Sequence, residues 1–188
     1  MADLVEASVR EQFRKLSEMP VETRSQPDPN PAVNPDQALP VEGAQQHDRL
    51  SELFAMVALI RNDTELQQRF LRQELAPDED SQVEQLLTVA SHWERIEILW
   101  DTLKTRILAS ESPLSTDEQR LLNFVLRCHN RLWVDHAASL ILVSEGEQYN
   151  YEKHFSVGQG DKIAALLLPG LMNSAGKVCR KPVAKLRG

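Results

Sequence analysis

The sequence predicts a mainly α-helical chain that closes with a small β-unit, an α+β fold. Apolar residues recur at helical spacing over residues 44–145. That period stops at Gly146, and glycines and prolines then bound short apolar runs, as turn residues do between strands. We therefore divide the chain into a short amphipathic helix (1–19), a proline-rich linker (20–43), a helical body (44–145) and a small β-domain (146–188).

The N-terminal stretch has the pattern of a short helix followed by an extended tether. Val5, Val9, Phe13 and Leu16 share one helical face. An isolated helix of this length is only marginally stable in water, so we expect it to be docked on the rest of the chain or frayed. The alternative is a tethered recognition helix that presents its apolar face to a partner. Residues 20–43 hold six of the chain's ten prolines and have no apolar period, which predicts a semi-rigid linker.

Two helices are predicted next. The first spans roughly residues 44–75 and ends before Pro77. Asn62-Asp63-Thr64 is weak helix sequence, and a division into two helices there is the alternative. The second spans roughly residues 81–109, preceded by acidic residues 78–80, which favour the positive end of a helix dipole. In this helix Trp93 and Trp100 share a face, which indicates that they lie in the core or at a helix–helix interface. An interface of this kind is compatible with a homodimer formed through the helical body.

The third predicted helix runs from Thr116 to Val143 and has a specific start. Ser115 and Glu118 have the spacing of a capping box. His129 and His136 lie seven residues apart on this helix, and we interpret them as partly buried, hydrogen-bonded or flanking histidines. A metal site made by both histidines with Cys128 is the alternative, although the spacing is wrong for two ligands of one ion.

The β-unit is predicted from three features. Residues 163–168 form an apolar run that fits a buried strand, and residues 178–183 alternate as a half-exposed edge strand does. Residues 173–176 read as a reverse turn between them. We expect three or four short strands in total.

Part of this region resembles a known family. The segment 149–157 (YNYEKHFSV) is similar to the Phe-Asp-Pro-x-x-His-Glu-Ala-Val signature of GrpE-type nucleotide exchange factors. Gly170-Leu171 stands where that family has Gly-Tyr, and residues 176–180 (GKVCR) resemble its Gly-Arg-Val-Leu-Arg. The resemblance covers roughly the last quarter of the chain.

The resemblance implies a helical body carrying a β-head that enters the nucleotide-binding cleft of a DnaK-type chaperone and promotes ADP release. It implies that Gly170, Leu171, Lys177 and Arg180 bind the partner, because they lie on the contact surface of the head or shape it. A second set of residues would fix the head on the helix: Tyr149, Asn150, His154 and Gly176.

Charge and cysteine usage narrow the function classes. The net charge of −7 argues against general nucleic-acid binding, although residues 177–188 carry five basic and no acidic residues. We expect that basic tail to be a solvated edge strand. Two isolated cysteines, no secretory signal and no apolar run of membrane-spanning length predict a soluble, cytoplasmic protein that does not bind membranes.

The sequence lacks the patterns that carry catalysis. Gly158-Gln159-Gly160 has no following helix or Walker lysine and is interpreted as a turn. His154 has no recognisable nucleophile or oxyanion donor beside it. We therefore expect a binding protein without enzymatic activity, cofactor or metal. The alternative to a GrpE-like co-chaperone is a helical adaptor or secretion-type chaperone that binds a protein partner through its N-terminal helix and helical body.

Overall fold

The computed structural model describes residues 42–132 and 136–187, which combine helices with two small sheets in an α+β fold, as predicted. The predicted helix 1–19 and the linker as far as residue 41 lie outside the described residues, while Glu42 and Gly43 already belong to the first helix. The helices of the described part are α1 (Glu42–Arg61), α2 (Thr64–Leu66), α3 (Glu79–Ser91), α4 (Trp93–Ser110) and α5 (Thr116–Asn130). The strands are β1 (Ser139–Ile141), β2 (Phe155–Val157), β3 (Lys162–Leu168), β4 (Gly170–Met172), β5 (Val178–Arg180) and β6 (Val183–Arg187).

The first predicted helix is interrupted where the sequence indicated. Asp63 has an extended backbone, and its Oδ1 accepts a hydrogen bond from Leu66 N at 3.0 Å, which caps α2. A π-helical turn, Gln67–Leu71, follows and ends at Arg72 with a positive φ of 62°. The prediction of helix as far as residue 75 was therefore too long.

The second predicted helix is two helices. His92 adopts an extended backbone (φ −90°, ψ 122°) between α3 and α4, so the prediction of one continuous helix was wrong. The apolar period continues across the bend, which is why periodicity alone did not reveal it. The acidic residues 78–80 lie at the start of α3, as predicted. Asp78 is the N-cap residue and accepts a hydrogen bond from Ser81 N at 2.9 Å.

The third predicted helix has the expected start and an earlier end. Ser115 and Glu118 form both hydrogen bonds of the capping box. The helix ends at Asn130, whose side-chain amide binds Ala138 through bonds of 2.8 and 2.9 Å. Those bonds compete with helix continuation, and Ser139–Ile141 is a strand within the range predicted as helical.

The six strands form two sheets, more than the three or four predicted. The first has the order β1-β4-β5, and the second has the order β2-β6-β3, with β6 parallel to β2 and antiparallel to β3. The strand predicted at 163–168 is confirmed as β3, and β5 is an edge strand as predicted. The basic tail is not a solvated edge strand, because β6 is the central strand of its sheet and Val183 and Ala184 are buried.

A single large core joins the helices to the sheets. Trp100 is fully buried, and its Nε1 donates to the carbonyl oxygen of Pro169 over 2.6 Å. The same cluster contains Leu168, Leu171 and Val183 from the strands. Trp93 is half-buried against the ring of His129, so the two tryptophans pack within the helical body and against the β-domain.

A smaller cluster lies on the other face of the second sheet, where Ile163, Ala184 and Leu186 pack together. The alternation of β6 explains this, since Val183 points into the main core and Ala184 into the smaller one. Over the described residues, no helix combines the length and the apolar character needed to cross a bilayer.

Candidate partner-binding surface of the β-domain

The loop before β2 is organised by Asn150 and His154. Asn150 O accepts the backbone N–H of His154 at 2.9 Å, and Asn150 N donates to His154 Nδ1 at 3.3 Å. The ring is buried, and because Nδ1 accepts, the other ring nitrogen, Nε2, carries a proton and lies 3.9 Å from a Glu147 carboxylate oxygen. Tyr149 packs at a tilt against this ring. His154 therefore holds the loop that leads into the second sheet.

Gly170 lies where two stretches of backbone approach closely. A Cβ at this position would lie 2.6 Å from Arg180 O and 2.8 Å from Pro182 Cδ. Only glycine fits without moving a neighbouring backbone. Its neighbour Leu171 is fully buried and pairs with Leu140 across the sheet. Both residues are buried, so they shape the surface from beneath and do not contact solvent themselves.

A tight hairpin turn connects β4 and β5, as predicted. Asn173 Oδ1 accepts from the backbone N–H groups of Ala175 and Lys177 at 3.1 and 3.0 Å, and Gly176 N donates to Asn173 O at 2.9 Å. Gly176 has a φ of 73°, which glycine adopts without strain. Lys177 lies exposed at the end of this turn. This exposed turn, residues 175–177, is called the hairpin tip.

Arg180 has a different environment from Lys177. Its Nε and Nη2 donate to the two carboxylate oxygens of Asp101 at 2.9 and 2.8 Å, and Nη1 donates to Glu97 at 3.1 Å. The hydrogen bonds that Arg180 donates to Asp101 raise the pKa of Arg180 above its ordinary value. Arg180 therefore ties β5 to α4, and its charge is already neutralised within the chain.

The five basic residues of the tail thus fall into two groups. Carboxylates lie within 4 Å of Arg180, Lys185 and Arg187, at Asp101, Glu111 and Glu145 respectively. Within the described part of the chain, Lys177 and Lys181 have no such partner. These two lysines are the positive charges of the tail that remain available to another molecule.

A groove opens between α4 and the β-domain beside the edge strand β5. Its cavity volume is about 700 Å³. Leu142, Phe155 and Val178 contribute exposed apolar surface, with 68%, 39% and 51% of each residue accessible to solvent. Sequence analysis missed this groove, since its walls come from segments far apart in the chain. The surplus of apolar residues in 139–143, too many for a half-buried helix end, was the available signal.

The histidines of the helical body are placed apart. His129 is buried, as expected, and its Nδ1 lies 2.8 Å from Ser91 O, whereas His136 is exposed. Among the described residues, no cluster of three His, Cys, Asp or Glu side chains has the geometry to hold a metal ion. Burial raises the pKa of the neighbouring Cys128 thiol, which disfavours its thiolate.

The helical body has an exposed apolar patch of its own. Leu50 and Phe54 lie on one face of α1 and are 49% and 42% exposed. Leu50 borders a groove of about 480 Å³ that Leu87 and Phe124 also line. These side chains would be the contact residues if the helical body bound a partner.

The β-domain therefore offers two surfaces to another molecule: the hairpin tip with Lys177, and the groove beside β5. Residues 176–177 belong to the hairpin tip, and residues 152–155 and 178–180 line the groove. Comparison of the chain with protein-family models, curated proteins and solved structures finds no match.

Proposed function

We propose that this chain is a GrpE-like co-chaperone that promotes ADP release from a DnaK-type chaperone through its C-terminal β-domain. One observation supports the proposal: the first of the three segments of the family resemblance contacts the two residues that follow the third, and the second segment packs against the third. Phe155 N donates to Pro182 O at 2.8 Å, and Lys181 Nζ donates to Tyr151 O at 3.2 Å. Gly170 packs directly against the backbone of Arg180. Residues that resemble one family motif by motif thus form one contiguous unit.

The proposed mechanism is differential binding. A head that binds the open, nucleotide-free form of the chaperone more tightly than the closed ADP form shifts that equilibrium toward the open form. Coupling is reciprocal, so ADP weakens head binding by the same factor by which the head weakens ADP binding. No catalytic group is needed for this activity.

A rigid junction between body and head favours this mechanism. A flexible head would lose part of its binding free energy to ordering, and less would remain to bias the chaperone. Here Arg180 joins β5 to α4 through Asp101, and Trp100 joins α4 to Pro169. The β-domain is held on the helical body by a charged contact and a buried hydrogen bond.

The first test is a pull-down from lysate of the source cell, with ATP in the final wash and mass spectrometry of the eluate. The proposal predicts that a DnaK-type chaperone is retained and that ATP releases it. Lys177→Glu should lower retention, since it reverses a free charge on the hairpin tip. Lys162→Glu makes the same charge change at an exposed site on β3 and serves as the matched control.

The helical adaptor is the alternative, and the exposed Leu50 and Phe54 on α1 are the observation that favours it. The adaptor predicts that other proteins are retained and that a DnaK-type chaperone is not. Phe54→Ser should abolish that retention, and Lys177→Glu should leave it unchanged. This result would contradict the exchange-factor proposal. An ATP-insensitive chaperone contact would also contradict it, because a head that binds the nucleotide-free form should be released when nucleotide binds.

A further inference from the structure

The groove between α4 and the β-domain has an apolar floor that is open to solvent. Leu142 follows β1, Val178 begins β5 and Phe155 begins β2, so three separate segments of the β-domain bring their side chains to one cavity. More than a third of each residue is accessible. Concave surface of this kind is where small proteins bind ligands or peptides, since covering it removes apolar area from water.

The residues that line the groove carry four positive and three negative charges, so positive charge exceeds negative charge by one. Arg180 pairs with both Asp101 and Glu97, so it supplies no free positive charge. Lys104, Lys153 and Lys181 also line the groove, and none has a carboxylate within 4 Å among the residues that the structure describes. Lys104 Nζ lies 3.5 Å from the centroid of the Phe155 ring, so a cation sits directly above the apolar floor.

Two glutamates on the rim of the groove form hydrogen bonds with other residues of the chain. Glu147 accepts the backbone N–H of Ser144 at 3.2 Å and faces the ring of His154. Glu152 lies 3.4 Å from the Tyr151 hydroxyl. The three lysines outnumber these two carboxylates by one, and this local positive excess stands against a net charge of −7 for the chain. The groove is electrostatically suited to an anionic occupant.

The shape of the groove favours an extended occupant. Residues 178–181 line it, and β5 is an edge strand with no neighbour on one side. An extended peptide can lie along such an edge, using alternate side chains for apolar contacts and for charged contacts. Cys179 O is already bound by Arg180 Nη1, so backbone pairing along β5 would be partial and side chains would supply most of the specificity.

We infer that this groove binds an extended peptide segment of a partner protein in which acidic residues alternate with aliphatic ones. The aliphatic side chains would cover Leu142, Val178 and Phe155, and the carboxylates would face Lys104, Lys153 and Lys181. This site is separate from the hairpin tip, and it stands whether or not the chain acts on a DnaK-type chaperone.

The test uses three fluorescein-labelled peptides of about eight residues, the length of a long strand. The first alternates Asp with Val or Leu, the second replaces Asp by Lys, and the third replaces the aliphatic residues by Ser. Fluorescence anisotropy with the full chain should show binding of the first peptide only. Affinity should fall as ionic strength rises from about 50 to 500 mM, because exposed charges are screened.

Matched variants locate the site. Lys153→Glu/Lys181→Glu should raise the Kd about tenfold or more, and Val178→Asp should do so independently. Lys162→Glu, outside the groove, should leave the Kd within about twofold. All four positions carry partly or fully exposed side chains, and melting curves identify any variant that does not fold.

The two cysteines provide a second readout in the unaltered chain. Cys179 lines the groove, whereas Cys128 lies on α5. Bound peptide should slow iodoacetamide modification of Cys179 and leave that of Cys128 unchanged, as measured by mass spectrometry of tryptic peptides. Three outcomes would overturn the inference. The lysine peptide binds as tightly as the aspartate peptide, or the groove variants leave the Kd unchanged. The third is that the fatty acid decanoate occupies the groove while no peptide binds.

Discussion

Arg180 donates two parallel hydrogen bonds to Asp101, of 2.9 and 2.8 Å, although the residues are 79 positions apart in the chain. A third bond, to Glu97, places the guanidinium between two carboxylates of α4. This fork geometry is the strong form of an ion pair, because both carboxylate oxygens are satisfied at once. The pair fixes the edge strand β5 against the helical body and forms one side of the groove.

The Arg180–Asp101 pair should contribute measurably to stability. We expect Arg180→Met to lower the free energy of unfolding by about 1–2 kcal/mol, since the side chain is only about a quarter exposed and leaves two carboxylates unpaired. A double-mutant cycle with Asp101→Asn, measured by urea denaturation, should give a coupling energy of about 1 kcal/mol. Arg187→Met is the control, because its pair with Glu145 is mostly exposed and should contribute under about 0.5 kcal/mol. Equal losses in the two arginine variants would contradict this assignment.

Gly170 should tolerate no side chain. Gly170→Ala would place a methyl group 2.6 Å from a backbone oxygen, so we expect a loss of about 3 kcal/mol or more in the free energy of unfolding. Gly146→Ala is the comparison, because its φ of 83° is unfavourable for alanine but nothing lies within 4 Å of the added carbon. That variant should lose only about 1 kcal/mol. Thermal unfolding of both variants separates the effect of crowding from that of backbone strain. If Gly170→Ala loses less stability than Gly146→Ala, the strands around Gly170 can move apart to accept the methyl group.

Arg106 should make stability depend on pH. It binds Asp63 at 2.7 Å and Glu65 at 2.8 Å, and hydrogen bonds from Arg106 lower the pKa of both carboxyl groups below their ordinary values of 3.8 and 4.5. A lowered pKa stabilises the folded state above the unfolded-state pKa, and this contribution is lost as pH falls through the folded-state pKa.

We therefore expect Arg106→Met to cost about 2 kcal/mol at pH 7. The difference from the wild type should shrink as pH falls from about 5 to 3, where the carboxyl groups become protonated. Urea denaturation at a series of pH values measures this difference. A difference that stayed constant down to pH 3 would mean that Arg106 acts through packing alone.

The sequence predicted the parts of this fold that depend on local chemistry. The capping box at Ser115, the interruption at Asp63 and the turn at Gly176 are each specified by a few adjacent residues, and each is present. The end of α5 at Asn130 depends instead on bonds to Ala138, which a helical period cannot reveal. His92 likewise bends the chain without breaking the apolar pattern on either side.

The candidate site was predictable only in part. The motif resemblance placed both Arg180 and Lys177 at the contact surface, yet the structure pairs Arg180 with α4 and leaves Lys177 exposed. That difference depends on where Asp101 lies in space, which its sequence position does not give. The groove was missed for the same reason, since Lys104 and Phe155 meet only in the folded chain.

The proposal also predicts which part of the chain is dispensable. Residues from 42 onward form a compact unit, so a variant lacking residues 2–41 should fold. In the exchange-factor proposal it retains chaperone affinity within about twofold, because the contact lies in the β-domain. Biolayer interferometry against the purified chaperone measures this affinity. A loss of binding on truncation would favour the helical adaptor, whose working part is the N-terminal helix.

The most direct measurement of the central claim is the rate of ADP release. A fluorescent ADP analogue is bound to the DnaK-type chaperone of the source cell and chased with excess ADP in a stopped-flow instrument, with increasing amounts of this protein. We predict an acceleration of about tenfold or more that saturates with concentration, is preserved in Lys162→Glu and is reduced in Lys177→Glu. A release rate that does not change up to about 100 μM protein would contradict the proposed function.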